Sequence, residues 1–342
     1  MKKIFASMMA AAMVVSLAGC SNGNSSESGS SANSEGGSDN AAAYKLGMGV
    51  VTSTASSAAG NAQVDATVAA VILDADGKIV SCAIDVAQNK MDVTDGEVPE
   101  DAASMTFKSK KEKLEEYGMK PASAIGKEWY EQAEAFEAYV VGKTADEVAA
   151  IPVETTDNGH VVTTDETLKA GCTMSISALI DATVKACNDD GAADFTGDAK
   201  LALTTSTSVD SATASAADGE DGTAAMYTSF AAVCYDEVQP KVTFDEAGEI
   251  TSDPTAEIKT KREKKDEYGM RSASAISAEW FEQNQAFETF VTGKTSAEIS
   301  AIPTETTDNG HVVTTDETLK AGCTMSVGGM IQTVVKAMGL VG

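Results

Sequence analysis

The sequence is short of the residues on which most catalytic and binding chemistries depend. It holds two histidines, His160 and His311, in 342 residues. Each stands alone beside a turn and is expected to be a surface group. His, Cys and carboxylate residues nowhere recur at metal-ligand spacing, which argues against a metal site. Neither a Ser-His-Asp arrangement nor a Gly-rich phosphate loop can be picked out, so a hydrolase reading is weak. Cations are scarce: 25 Lys and Arg stand against 52 Asp and Glu, a net charge of −27. Binding a phosphate backbone needs a basic face, so nucleic acid is excluded as a partner and anionic head groups are disfavoured. The cysteines give no clear disulfide framework. Of six, Cys172 and Cys323 recur between the two halves of the chain, whereas Cys82, Cys187 and Cys234 face Val233, Met338 and Ala83. Free, mostly buried thiols are expected.

What is present is an internal repeat. Residues 154–175 read ETTDNGHVVTTDETLKAGCTMS, and residues 305–326 repeat them letter for letter. Recent duplication alone copies sequence in this way; the alternative is that the segment does the same chemistry in both halves. The surroundings match more loosely. Tyr117-Gly118-Met119 pairs with Tyr268-Gly269-Met270, Ser123-Ala124-Ile125 with Ser274-Ala275-Ile276, Trp129 with Trp280, and Gly142-Lys143-Thr144 with Gly293-Lys294-Thr295. Two copies make a tandem duplication, not a solenoid. The predicted layout is a leader at 1–19, a tether at 20–43, repeat one at 44–188, a polar linker at 189–198 and repeat two at 199–342.

The leader begins with Lys2 and Lys3, and its apolar run from Ile4 to Leu17 is too short to cross a bilayer comfortably. It ends in Leu17-Ala18-Gly19-Cys20, which resembles a bacterial lipobox. The resemblance implies cleavage before Cys20 and lipid on its sulfur, holding the protein at the outer face of the cell membrane. The Ser, Gly and Asn of the following stretch cannot bury enough surface to offset the entropy of ordering, so a flexible tether is expected.

Each repeat is expected to be α+β, a small antiparallel sheet packed with helices. Val68–Leu73 and Lys78–Ile84 are β-rich around an Asp74–Gly77 turn, and in repeat two a run at Phe230–Tyr235 is kept. Ile125, Trp129, Phe136 and Val140 form one stripe of a helix over 123–147, with Ser123 and Thr144 as starts and Gly142 as a break. Trp129 and Trp280 are read as core or as a stacking surface for a ligand ring. Short strands should flank Asn158-Gly159. Thr173 or Ser175, after Gly171 in a turn, is placed to cap the helix that follows, and a helix start stabilises phosphate.

That small-Gly-small-Thr turn before a helix resembles the flavin attachment motif of FMN-binding domains, found in sodium-pumping NADH:quinone reductases and Rnf complexes. The resemblance implies that a transferase, with FAD as donor, esterifies Thr173 and Thr324 with FMN, giving two covalent FMN per chain. Gly171 and Gly322 would supply the turn, with Cys172, Cys323, Ser175 and Ser326 beside the cofactor. In place of the family's usual acid six residues before the modified Thr stand Thr167 and Thr318, with Asp165, Glu166, Asp316 and Glu317 as the nearest acids. Ala-Gly-Cys stands for the usual Ser-Gly-Ala.

The lipobox, Ser-rich tether and tandem domains also resemble extracellular electron-transfer lipoproteins of Gram-positive bacteria. That likeness implies an electron carrier rather than an enzyme with its own substrate pocket. It would relay electrons from a membrane donor, a quinol or NADH dehydrogenase system, to external acceptors such as ferric iron. An ester at Thr173 also suits life outside the cell, where a dissociable cofactor is lost to dilution. Two alternatives stay open: a binding module with Thr173 and Thr324 as plain helix caps, and a leader peptide with a signalling role of its own.

Overall fold

A computed structural model describes residues 43–95, 98–196, 200–213, 216–227 and 233–340. The leader, Cys20 and the tether as far as residue 42 lie outside them, as do residues 230–232 of the expected Phe230–Tyr235 run. Repeat one comprises β1 (Ala43–Ser53), β2 (Asn61–Leu73), β3 (Ile79–Asp92), α1 (Lys110–Lys113), α2 (Trp129–Val140), α3 (Ala145–Ala149), β4 (Val153–Thr155), β5 (Val161–Thr163), α4 (Glu166–Lys169) and α5 (Ser177–Cys187). Next come β6 (Ala193–Thr196), then β7 (Leu201–Thr213), β8 (Ala216–Tyr227), β9 (Val233–Val238), β10 (Lys241–Thr243), α6 (Lys261–Lys264), α7 (Trp280–Val291), α8 (Ser296–Ser300), β11 (Thr304–Thr306), β12 (Val312–Thr314), α9 (Glu317–Lys320) and α10 (Gly328–Leu340). The α+β class is therefore as the sequence indicates.

The first sheet is antiparallel in the order β3-β2-β1-β6. Its fourth strand lies in the expected linker, where Phe195 pairs with Tyr44 and stacks on its ring at 5.5 Å. Of the described linker residues 189–196, four form a sheet edge. In the second sheet β8 pairs with β7 on one side and with β9 and β10 on the other. The counterpart of β3 is split there because Pro240 has no N–H to give the ladder.

Both faces of the first sheet are covered, so β2 shows no apolar-polar alternation from Val68 to Leu73. Val68, Ala70 and Ile72 join Leu46, Met48 and Val50 of β1 against Leu203 and Cys234 of the second repeat. Ala69, Val71 and Leu73 point the other way, onto Trp129 and Phe136 of α2 and Leu179 and Ala182 of α5. The second sheet meets α7 and α10 likewise, with Tyr235 beside Trp280, Phe287 and Val334. The two repeats thus pack sheet to sheet with helices outside.

Reciprocal contacts cross between the repeats. Lys185 pairs with Glu263 at 2.7 Å, and Lys336 pairs with Glu112 at 2.6 Å. Both partners are shifted by 151 positions, so the same patch is used twice, as in a two-fold dimer. Being partly exposed, each pair is worth about 0–1 kcal/mol and sets register more than stability.

Helix boundaries differ from expectation at one end. The stripe holds, with Trp129, Phe136 and Val140 buried, but α2 starts at Trp129, not near Ser123. Glu128 caps it through a capping box with Glu131, which releases Ser123 for another bond. Gly142 ends the run at φ +83°, a conformation that costs a side chain dearly. Thr144 then starts α3 with its own capping box, as predicted.

Two acids of the second repeat sit largely out of water, Asp236 on β9 buried and Glu288 on α7 half-buried. Burial pushes the Asp236 carboxyl up to about 7, against the attraction of Arg262. Glu288 is pushed up to about 7 for the same reason. Both folded pKa values lie above those of an unfolded chain, so the folded state holds protons that the unfolded state releases. Stability should therefore fall as pH rises from about 4.5 to about 7, by on the order of 1 kcal/mol per pH unit per group. Thermal midpoints across that range check this, and Asp236→Asn with Glu288→Gln should flatten the slope. A midpoint that climbs from pH 5 to about 7 would contradict the assignment.

Candidate functional site

The exact repeat folds into a hairpin, a turn of helix and a bend. Strands β4 and β5 pair Val153 with Thr163 and Thr155 with Val161, closed through Asp157-Asn158-Gly159 as the turn signal indicates. Asp165 caps α4, its Oδ1 accepting from the N–H groups of Thr167 and Leu168. One of the two acids nearest the expected family position is therefore occupied in building local structure. Gly171 follows in the turn that ends α4, where close approach leaves no room for a side chain. A Cβ on it would meet the Ala135 Cβ of α2 at 2.7 Å, and on Gly322 the Ala286 Cβ at 2.8 Å.

Thr173 is not a helix cap. Helix α5 begins at Ser177 after Ile176, with no side-chain cap, and α10 begins at Gly328, four residues past Thr324. Ser175 is not a cap either. The bend is held instead by Gln132 of α2, which is 1% exposed. Its Oε1 accepts from Thr173 N at 2.8 Å and Met174 N at 3.1 Å, and from the Thr173 hydroxyl at a longer 3.3 Å. Its Nε2 donates to Lys127 O at 3.1 Å and Ser123 Oγ at 3.2 Å. Those backbone partners fix which end is oxygen, since a carbonyl only accepts and an N–H only donates. Gln283 repeats the set around Thr324, with 2.8 Å to its N, 3.2 Å to its hydroxyl and 3.2 Å to Met325 N.

Thr173 sits on the lip of a cleft of about 690 Å³. One wall comes from Lys110, Tyr117, Met119, Ser123, Trp129 and Gln132, the other from the hairpin through Thr156, Asn158, His160 and Val162. Lys110 Nζ lies over the rings of Tyr117 and Trp129, at 5.1 and 5.6 Å. Trp129, 3% exposed, is mainly core and gives the cleft little of its surface. His160 and His311 are exposed, and His160 stands on the rim. Ser175 lines the cleft, while Ser326 is also exposed.

Cys172 and Cys323 turn the other way, fully buried in the two cores. Burial pushes each thiol up to about 11, so they are packing groups in this fold. All five described cysteines are free thiols.

Each of the fifteen residues lining the cleft has an identical counterpart 151 positions on, from Lys110 and Lys261 to Ser175 and Ser326. Eight of the fifteen fall in the loosely matched upstream region, outside the copied block, in segments that serve in the sequence merely to align the repeats. Gln132, Lys110, Tyr117 and Ser123 are therefore site residues that sequence reasoning passed over. The signal was present: amid drift, the identities cluster on what becomes one cleft.

Comparison with known proteins places one relative beside this chain. It is 35% identical over 160 residues to a chlorophenol reductase of Desulfitobacterium hafniense, covering 35% of this chain and 49% of that protein. The chain thus spans about half the length of the curated relative it matches. No family model matches, and no solved structure matches. Among the described residues no helix is long and apolar enough to cross a membrane.

Proposed function

We propose that this protein is a redox carrier with one FMN esterified to Thr173 and a second to Thr324, tethered by lipid at Cys20 and passing electrons from a membrane donor to an external acceptor. The observation that carries the reading is a part-exposed threonine fixed on the lip of a roomy, aromatic and cationic cleft, built twice from the same residues. The name of the relative, a reductase, agrees with redox work in the part of the chain it shares.

The residues present suit the group. A cleft of about 690 Å³ lies within the range of small-molecule sites. The threonine hydroxyl is tied by its longer bond alone, so it is open to esterification, while its backbone is rigid. Lys110, Tyr117 and Trp129 would flank the ring, and Ser123, Asn158 and His160 offer polar contacts to it. When bound, FMN supplies one- and two-electron chemistry; the protein supplies position, charge and exclusion of water. An FAD-dependent FMN transferase is the required partner, and a quinol or NADH dehydrogenase system and ferric iron are the donor and acceptor classes proposed.

Intact mass of the mature chain, made in a host with an active transferase, tests the proposal. Two additions of FMN less one water each are expected, mapping to the peptides of Thr173 and Thr324. A chain that gains no mass while a control substrate is modified would sink it.

A further inference from the structure

A second pocket, of about 360 Å³, adjoins the first cleft, and Tyr117 lines both. Lys90 of β3, Lys108 and Lys113 of α1 line it beside Phe107 and Tyr117, and Glu116 is the one acid among its lining residues. Glu116 pairs with Lys108 at 2.7 Å, but with side chains 69% and 57% exposed that pair is worth little. Lys113 is held below the usual ammonium range first by burial and then by Lys110, Lys90 and Lys108, so it feels all three. Gathering like charges costs stability, and a chain with 52 acids has counter-charges to spare. The set nevertheless recurs 151 positions on as Lys241, Lys259, Lys261 and Lys264, with Lys259 paired with Glu267 as Lys108 is with Glu116. Eight of the chain's 25 cationic side chains belong to these two sets. A cluster kept twice against the overall charge is accounted for by an anion that it holds.

We propose that this pocket binds a small polycarboxylate anion, and that it docks a ferric polycarboxylate chelate as electron acceptor beside the first cofactor. The redox role rests on the flavin reading above; the binding does not. Over most of its surface a chain of net charge −27 repels such an anion. Physiological salt screens that repulsion beyond about 8 Å, so a local group of lysines decides where the anion settles. The lining lysines come from β3 and from the segment running into α1, around a volume well above what a single phosphate fills. Each is a point charge on a flexible stem. That arrangement suits charges spread over several carboxylates better than one compact tetrahedral anion. Phe107 and Tyr117 give the carbon skeleton an apolar wall. In the step this permits, one electron leaves the reduced cofactor at Thr173 and Fe(III) in the chelate becomes Fe(II). The quinol-class donor then replaces the electron.

Calorimetric titration of the full chain with citrate, on protein made without the transferase, tests the binding. Saturable binding that weakens with added salt is expected, and Lys90→Gln with Lys113→Gln should remove one bound equivalent. Lys90 is exposed and Lys113 half-buried, so the fold should stand; Lys90→Gln alone, which should weaken binding several-fold, serves if the pair does not fold. Acetate and inorganic phosphate should bind more weakly than citrate. No citrate binding, binding that ignores the lysine changes, or phosphate held as tightly as citrate would overturn the assignment. The redox role is read by stopped-flow reoxidation of the reduced Thr324→Ala chain, which keeps the first cofactor. With ferric citrate the two lysine changes should slow reoxidation several-fold, and with neutral benzoquinone they should leave it unchanged. Equal rates with and without the changes in ferric citrate would overturn the docking role. A parent chain with no flavin absorbance would instead remove the cofactor reading, while the citrate titration stands by itself.

Discussion

Thr173→Ala combined with Thr324→Ala is expected to remove all covalent flavin from the protein while leaving its fold intact. The bond at issue runs from phosphorus to the threonine Oγ1, and alanine has no atom to take its place. The loss should be complete rather than graded, read as zero added mass and no flavin absorbance after denaturation. The stability cost should be small, below about 1 kcal/mol per site, because each hydroxyl makes one long bond, 3.3 Å to Gln132 or 3.2 Å to Gln283. Neither threonine caps a helix, so the larger penalty of a lost cap does not apply. Thr173→Ser keeps an oxygen at the same place and should keep the attachment. Flavin that withstands denaturation in the double alanine chain would move the attachment elsewhere.

Gln132→Ala should act strongly on both structure and modification. The substitution strands the N–H groups of Thr173 and Met174, and a buried donor without a partner costs about 1–3 kcal/mol. A destabilisation of about 2–4 kcal/mol in repeat one is expected from denaturant unfolding. Freed from Gln132, the bend that carries Thr173 should also present its hydroxyl poorly. FMN at Thr173 should drop several-fold, while Thr324 in the same chain, still held by Gln283, serves as control. Gln132→Glu separates the two ends of the amide. It keeps an acceptor for the two N–H groups but sets an oxygen against the Lys127 carbonyl, so rescue should be poor. Equal modification at both threonines in Gln132→Ala would show that the bend holds its shape unaided.

Much of this architecture can be read along the chain because it is local. The duplication, the α+β class, the Asn158-Gly159 hairpin, the break at Gly142 and the start at Thr144 follow from residues that act on near neighbours. The identical block around Thr173 and Thr324 is likewise plain in the sequence. Other features depend on partners far away in the chain and so needed the tertiary structure. Gln132 reaches Thr173 across 41 positions, and that bond replaces the helix cap the local spacing suggests. Gly171 reads as a turn residue, which it is, but only the passage of α2 against it shows why a side chain is excluded. The linker becomes a strand at Phe195 because the edge of β1 is there to pair with it. Cys172 neighbours Thr173 in sequence, yet Cys172 is buried in the core while Thr173 lines the cleft. Sequence determined which residues are repeated; packing decided which of them meet.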